Sequence, residues 1–78
     1  MMTYEDFEIL VRSSFPNDGD IRYGQHWFNT LYSVKPEIAD RIRGTLHDPF
    51  YRERVSEQAQ GVARTLWNDI HAHDKVSD

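Results

Sequence analysis

Three prolines, at positions 16, 36 and 49, cut this chain into four stretches, and within each stretch apolar residues recur every three or four positions. That spacing belongs to amphipathic helices, and the two-residue alternation of a half-buried strand appears nowhere. Proline resists the interior of a helix but suits its first turn, so each proline marks an end or a start. The chain therefore reads as all-α, a compact bundle of about four helices over roughly residues 3–15, 21–33, 36–43 and 49–70. Residues 1–78 form one small domain on this reading, with a tail expected to fray from about residue 71.

Local signals place the ends. Thr3 and Asp6 have the spacing of a capping box, and Met2 is placed to staple against Phe7. Tyr4, Phe7, Leu10, Val11 and Phe15 share the core face of the first helix, while Ile9 points away. Pro16 disfavours helix at Phe15, and the following Asn17-Asp18-Gly19-Asp20 is a turn by composition. Asp20 is the expected cap of the second helix, whose apolar arc holds Tyr23, Gly24, Trp27, Phe28, Leu31 and Val34. A glycine inside that arc costs about 1 kcal/mol relative to alanine, so a neighbouring helix is expected to approach closely there. Pro36 opens the third helix, which buries Ile38, Ala39 and Ile42 and ends at Gly44. Asp48 and Pro49 look like the cap and first turn of the last helix, whose stripe runs through Tyr51, Val55, Ala59, Val62, Ala63, Leu66 and Ile70, with Trp67 on its edge.

Size and charge narrow the function. A chain of 78 residues buries roughly 60% of its unfolded surface, enough for one core with little stability to spare. The absence of cysteine excludes disulfides, thiolate nucleophiles and cysteine-held zinc, and fits a reducing cytoplasm. The start has no signal-peptide pattern, and no apolar run approaches the roughly 20 residues of a membrane span. The net charge is −4: residues 1–20 hold five acids and one base, 21–56 six bases and four acids, and 57–78 four acids and two bases. An acidic chain is a poor generic binder of nucleic acid, although Arg41, Arg43, Arg52 and Arg54 gather in its one basic segment.

Chemistry is sparse. His71, His73 and Asp74 make the most metal-like group, but histidines two apart on a helix diverge by about 200° at an end expected to fray. The Asn17–Asp20 loop lacks the closing glutamate of a calcium loop. No serine stands in a nucleophile signature, and no glycine loop is built to cradle phosphate. No catalytic residue, metal or cofactor is implied, and the protein is expected not to be an enzyme. What remains is a polar row on the second helix, Arg22, Gln25, His26 and Asn29, which reads either as the wet side of a core helix or as a recognition surface. Arginine beside exposed aromatic area is the usual chemistry of binding hot spots, which adds Arg41, Arg43 and Trp67 as partner-binding candidates. Trp67 also reads as core, since tryptophan is highly buried on average but seldom wholly so.

Several short segments carry a resemblance. Arg22-Tyr23-Gly24-Gln25, Phe28-Asn29, Leu31, Pro36-Glu37-Ile38-Ala39, Ile42-Arg43-Gly44-Thr45 and Asp48-Pro49-Phe50-Tyr51 resemble very short phage and prophage proteins with an R-x-G-Q…F-N-x-L…P-E-L-A…I-R-G-T…D-P-F-Y pattern. The likeness spans residues 22–51, about 40% of the chain, and leaves out the first and last helices. It implies phage origin and a place in the bacterial host cytoplasm, with no established activity to carry over. Small non-enzymatic phage proteins often bind and block a host machine, CRISPR–Cas complexes included. The expectation is thus a protein–protein binder, monomer or homodimer, whose partner is a bacterial host protein or complex. The alternatives are a small nucleic-acid-associated regulator and a self-associating structural module.

Overall fold

The computed structural model describes residues 2–16, 19 and 21–76, with side chains described through residue 69. Four helices build it: α1 (Tyr4–Ser14), α2 (Tyr23–Val34), α3 (Pro36–Ile42) and α4 (Glu57–Val76); the described residues contain no strand. The fold is an all-α bundle.

The first helix is the one its sequence spells out. Thr3 and Asp6 close a reciprocal capping box, with Asp6 N donating to Thr3 Oγ1 and Thr3 N to Asp6 Oδ2, each at 3.1 Å. Tyr4, Phe7 and Val11 are buried while Ile9 stays 57% exposed, and the helix stops where Phe15 turns extended ahead of Pro16. The expected cap of α2, Asp20, lies outside the described residues; the residue in the cap position is Arg22, which makes no side-chain bond there. Pro36 opens α3, and Gly44 just beyond it takes a positive φ of 76°, a left-handed turn that glycine enters at little steric cost.

Residues 49–56 depart from the expected helix. Asp48 caps a turn instead: Oδ2 accepts from Gly44 N at 2.8 Å and Oδ1 from Phe50 N at 3.0 Å. Arg52 N then donates to Pro49 O at 2.9 Å, closing a β-turn over Pro49–Arg52. The last helix starts at Glu57 under a different cap, Ser56, whose hydroxyl accepts from Ala59 N at 3.0 Å. Its backbone runs on to Val76, past the end at residue 70 that the apolar stripe suggested.

A contact with Gly24 holds this turn in place. Gly24 N donates to Arg52 O at 3.0 Å, and a Cβ on Gly24 would collide with the carbonyl oxygens of Pro49 and Arg52. The close neighbour at Gly24 is thus a turn, not the helix expected. Being backbone, these carbonyls cannot step aside as a flexible side chain would.

Aromatic rings fill the core. Phe7 meets Trp27 at 5.5 Å and Trp67 at 5.4 Å between ring centroids, and Tyr4 meets Trp67 edge-on at 6.0 Å. Leu31, Ile38, Ala39, Ile42 and Ala63 complete the cluster. The Tyr4 hydroxyl donates to Glu8 Oε1 at 2.6 Å. Burial, and then this bond to a carboxylate, hold the phenol well above its ordinary pKa; burial also raises that of Tyr23.

Two predictions follow from this packing. Gly24→Ala improves intrinsic helix propensity yet is expected to lower stability by about 1–3 kcal/mol through overpacking, read as a drop in melting temperature; an unchanged or higher melting temperature contradicts the contact. The folded protein keeps the Tyr4 proton at a pH where the unfolded chain loses it. Stability is therefore full below about pH 10 and falls as pH rises above it. Urea unfolding of Tyr4→Phe across that range should show a shallower alkaline decline, with Tyr23 supplying what remains.

Candidate functional site

The polar row of α2 is not one continuous exposed stripe. Arg22 and Asn29 are exposed, but Gln25 and His26 are half-buried. His26 is engaged by the first helix: its Nε2 lies 3.0 Å from Val11 O and 3.1 Å from Ser14 Oγ, and its ring packs on Phe15 at 5.4 Å. The Ser14 hydroxyl donates to Leu10 O at 2.6 Å, which leaves its oxygen to accept. Both neighbours of Nε2 are then acceptors, so Nε2 carries the ring proton. The histidine covers the C-terminal end of α1, where carbonyls lack intrahelical partners. Among the candidates for partner contact, His26 is therefore a structural clamp.

Trp67 is removed from the surface as well. It is 1% exposed, within the aromatic core, and its indole N–H donates to Met2 O at 3.2 Å. Trp27, also fully buried, has an indole nitrogen with no hydrogen-bond partner among the described residues.

The four arginines of the basic segment split into separate settings. Arg41 is exposed on α3, a helix of only seven residues. Arg43 sits just past its end, with the guanidinium 5.1 Å from the Tyr32 ring centre, 5.8 Å from that of Phe28 and 3.6 Å from Asp40. Cation–π contact with two rings adds to an exposed ion pair that is worth little by itself. Arg52, the last residue of the Pro49 turn, and Arg54, just beyond it, are exposed and without an ion-pair partner among the described residues.

Around that turn lie two hollows that share one wall. The first, of about 500 Å³, is walled by Phe28, Tyr32, Phe50 and Tyr51, with Asn29 and Arg43 at its rim. Phe50 packs edge-on against Phe28 at 5.9 Å and Tyr51 at 4.9 Å, so these rings form a connected aromatic wall. The second, of about 680 Å³, lies on the other side of Tyr51 and is lined by Leu46, His47, Arg52 and Arg54. Leu46 is 93% exposed and Tyr51 81%. Sequence periodicity had placed Tyr51 in a buried helical stripe; the structure leaves it exposed, lining both hollows. The signals for this were local: Asp48-Pro49 suits the start of a turn, and Ser56 suits a helix cap.

Arg22 borders a third hollow, with Phe15, Ile21, Tyr23 and Glu53, and Glu53 also lines the Arg52–Arg54 hollow. Arg22, Asn29 and Arg43 thus border recesses arranged along one loop. Among the described residues no three metal-ligating side chains come together. The side chains of His71, His73 and Asp74, and residues Asn17, Asp18 and Asp20, lie outside the description. No helix among the described residues is long and apolar enough to cross a membrane.

Removing the clamp should cost stability. His26→Ala is expected to lose roughly 0.5–1.5 kcal/mol, the net value of a hydrogen bond, with helical content at low temperature unchanged. Thermal unfolding by circular dichroism checks this, and a wild-type melting curve rules the clamp out.

No protein-family model, curated protein or solved structure matches the chain. Residues distant in sequence are neighbours in space: Gly24 meets the Pro49 turn and Phe28 packs on Phe50.

Proposed function

We propose that this protein is a non-enzymatic, phage-type binding protein that docks on a bacterial host protein or complex in the cytoplasm and blocks it, in the manner of an anti-CRISPR protein. The observation that carries the binding role is Tyr51, a large ring 81% exposed that lines two hollows, beside an arginine whose guanidinium lies over the Tyr32 ring. Exposed tyrosine beside arginine is the residue pairing in which binding energy concentrates at hot spots, and tyrosine has few side-chain torsions to lose on binding. Asn29 adds a hydrogen-bonding amide at the rim.

The exposure of Arg41, Arg52 and Arg54, without ion-pair partners among the described residues, favours a second reading, a nucleic-acid-associated regulator. Affinity capture from bacterial lysate, with and without nuclease, separates the two. A stoichiometric partner is expected to survive nuclease and to be lost with Tyr51→Ser and Arg43→Glu at unchanged helicity, each costing about 2 kcal/mol or more, roughly thirtyfold in Kd. Capture undiminished in both variants removes the site. Loss of every partner on nuclease treatment favours the regulator.

A further inference from the structure

We propose that the surface on either side of Tyr51 receives an acidic segment of the partner protein, with one bulky apolar side chain in the aromatic hollow and neighbouring carboxylates on Arg52 and Arg54. The inference deepens the binding role proposed above and rests on it. The hollow walled by Phe28, Tyr32, Phe50 and Tyr51, about 500 Å³, has room for a large side chain. Its walls are apolar and aromatic, suited to a tryptophan, phenylalanine or leucine.

Across Tyr51 the chemistry changes sign of preference. Arg52 and Arg54 line the second hollow with His47, and neither guanidinium is met by a carboxylate among the described residues. Arginine binds carboxylates through two parallel N–H bonds, so each presents a ready receptor. Because Tyr51 lines both hollows, one short segment can place an apolar side chain in the first and carboxylates in the second.

The same arrangement disfavours a nucleic-acid backbone. Glu53 stands between the two arginines, Glu57 follows at the start of α4 and Asp48 borders the aromatic hollow, within a chain of net charge −4. A phosphate backbone carries charge at every step and meets each of these acids. A peptide can place its carboxylates opposite the arginines alone.

The test uses the full chain and three fluorescein-labelled synthetic peptides read by anisotropy: an acidic peptide centred on tryptophan, its counterpart with lysine for every glutamate, and the acidic peptide with alanine for tryptophan. The acidic tryptophan peptide is expected to bind at least tenfold more tightly than either control, and to weaken as salt rises from about 50 to about 300 mM. R52E/R54E should abolish that preference, R52Q/R54Q should reduce it, and Tyr51→Ser should remove the tryptophan dependence, all with unchanged circular dichroism. Equal binding of the lysine peptide, or undiminished binding by R52E/R54E, overturns the proposal. So does preferential displacement of the peptide by a single-stranded DNA oligonucleotide, which names a polyanion, or by unlabelled protein that sediments as a dimer, which names a second copy. If no acidic peptide binds while lysate capture remains dependent on Tyr51, the acidic assignment alone fails. If Tyr51-dependent capture fails too, the binding role falls with it.

Discussion

One backbone contact organises the half of this molecule that faces outward. Gly24 gives up a side chain so that the carbonyls of Pro49 and Arg52 can lie against α2, and its N–H closes the contact on Arg52. An N–H in the first turn of a helix has no intrahelical acceptor, so the turn meets a need that α2 has by construction. In return the helix fixes the position of a turn that has no regular structure of its own. Phe50 is directed onto Phe28, and Tyr51, one residue further, is left in solvent.

The core behind this surface is economical. With no cysteine available, cohesion comes from rings that touch in sequence, Trp27 to Phe7 to Trp67 to Tyr4, drawing α1, α2 and α4 together. Two polar devices fasten the same helices: His26 on the end of α1, and the Trp67 indole on Met2 O. One polar atom runs against the scheme. The Trp27 indole nitrogen lacks a partner among the described residues, a desolvation cost of about 1–3 kcal/mol that the burial of the ring must exceed. In so small a domain that is a sizeable fraction of the total stability.

What could be read from sequence was what depends on near neighbours. The Thr3–Asp6 box, Pro36 at the start of α3, Gly44 beyond its end and the outward Ile9 all follow from residues within one turn of each other. The Pro49–Ser56 loop did not, because Tyr51, Val55 and Ala59 are four apart and satisfy helical spacing. The turn signals at Asp48-Pro49 and the cap at Ser56 were equally present, and the arbiter was a glycine some 25 residues earlier in the chain. His26 teaches the same lesson. By its own helix it belongs to a polar row, yet it is claimed by a carbonyl 15 residues away that no local pattern announces. Of the candidate surface, Arg43 and Asn29 were legible as polar groups beside aromatics, whereas Tyr51 needed the fold.

The division of labour among the arginines bears on what such a surface can recognise. Arg43 is engaged by two rings and a carboxylate, so it offers geometry more than free charge. Arg52 and Arg54 are the reverse, charge with no ion-pair partner among the described residues, on a loop whose backbone, at Arg52, is held by α2. Attraction at a distance falls to the second pair, since exposed charge chiefly steers encounter, and specificity to the first with its aromatic wall. The two functions meet at Tyr51, so a partner that satisfies only the charge or only the hollow captures part of the available energy. A short protein with a modest surface can discriminate in that way without a large interface, because the requirement is for two chemistries at a fixed separation and not for area.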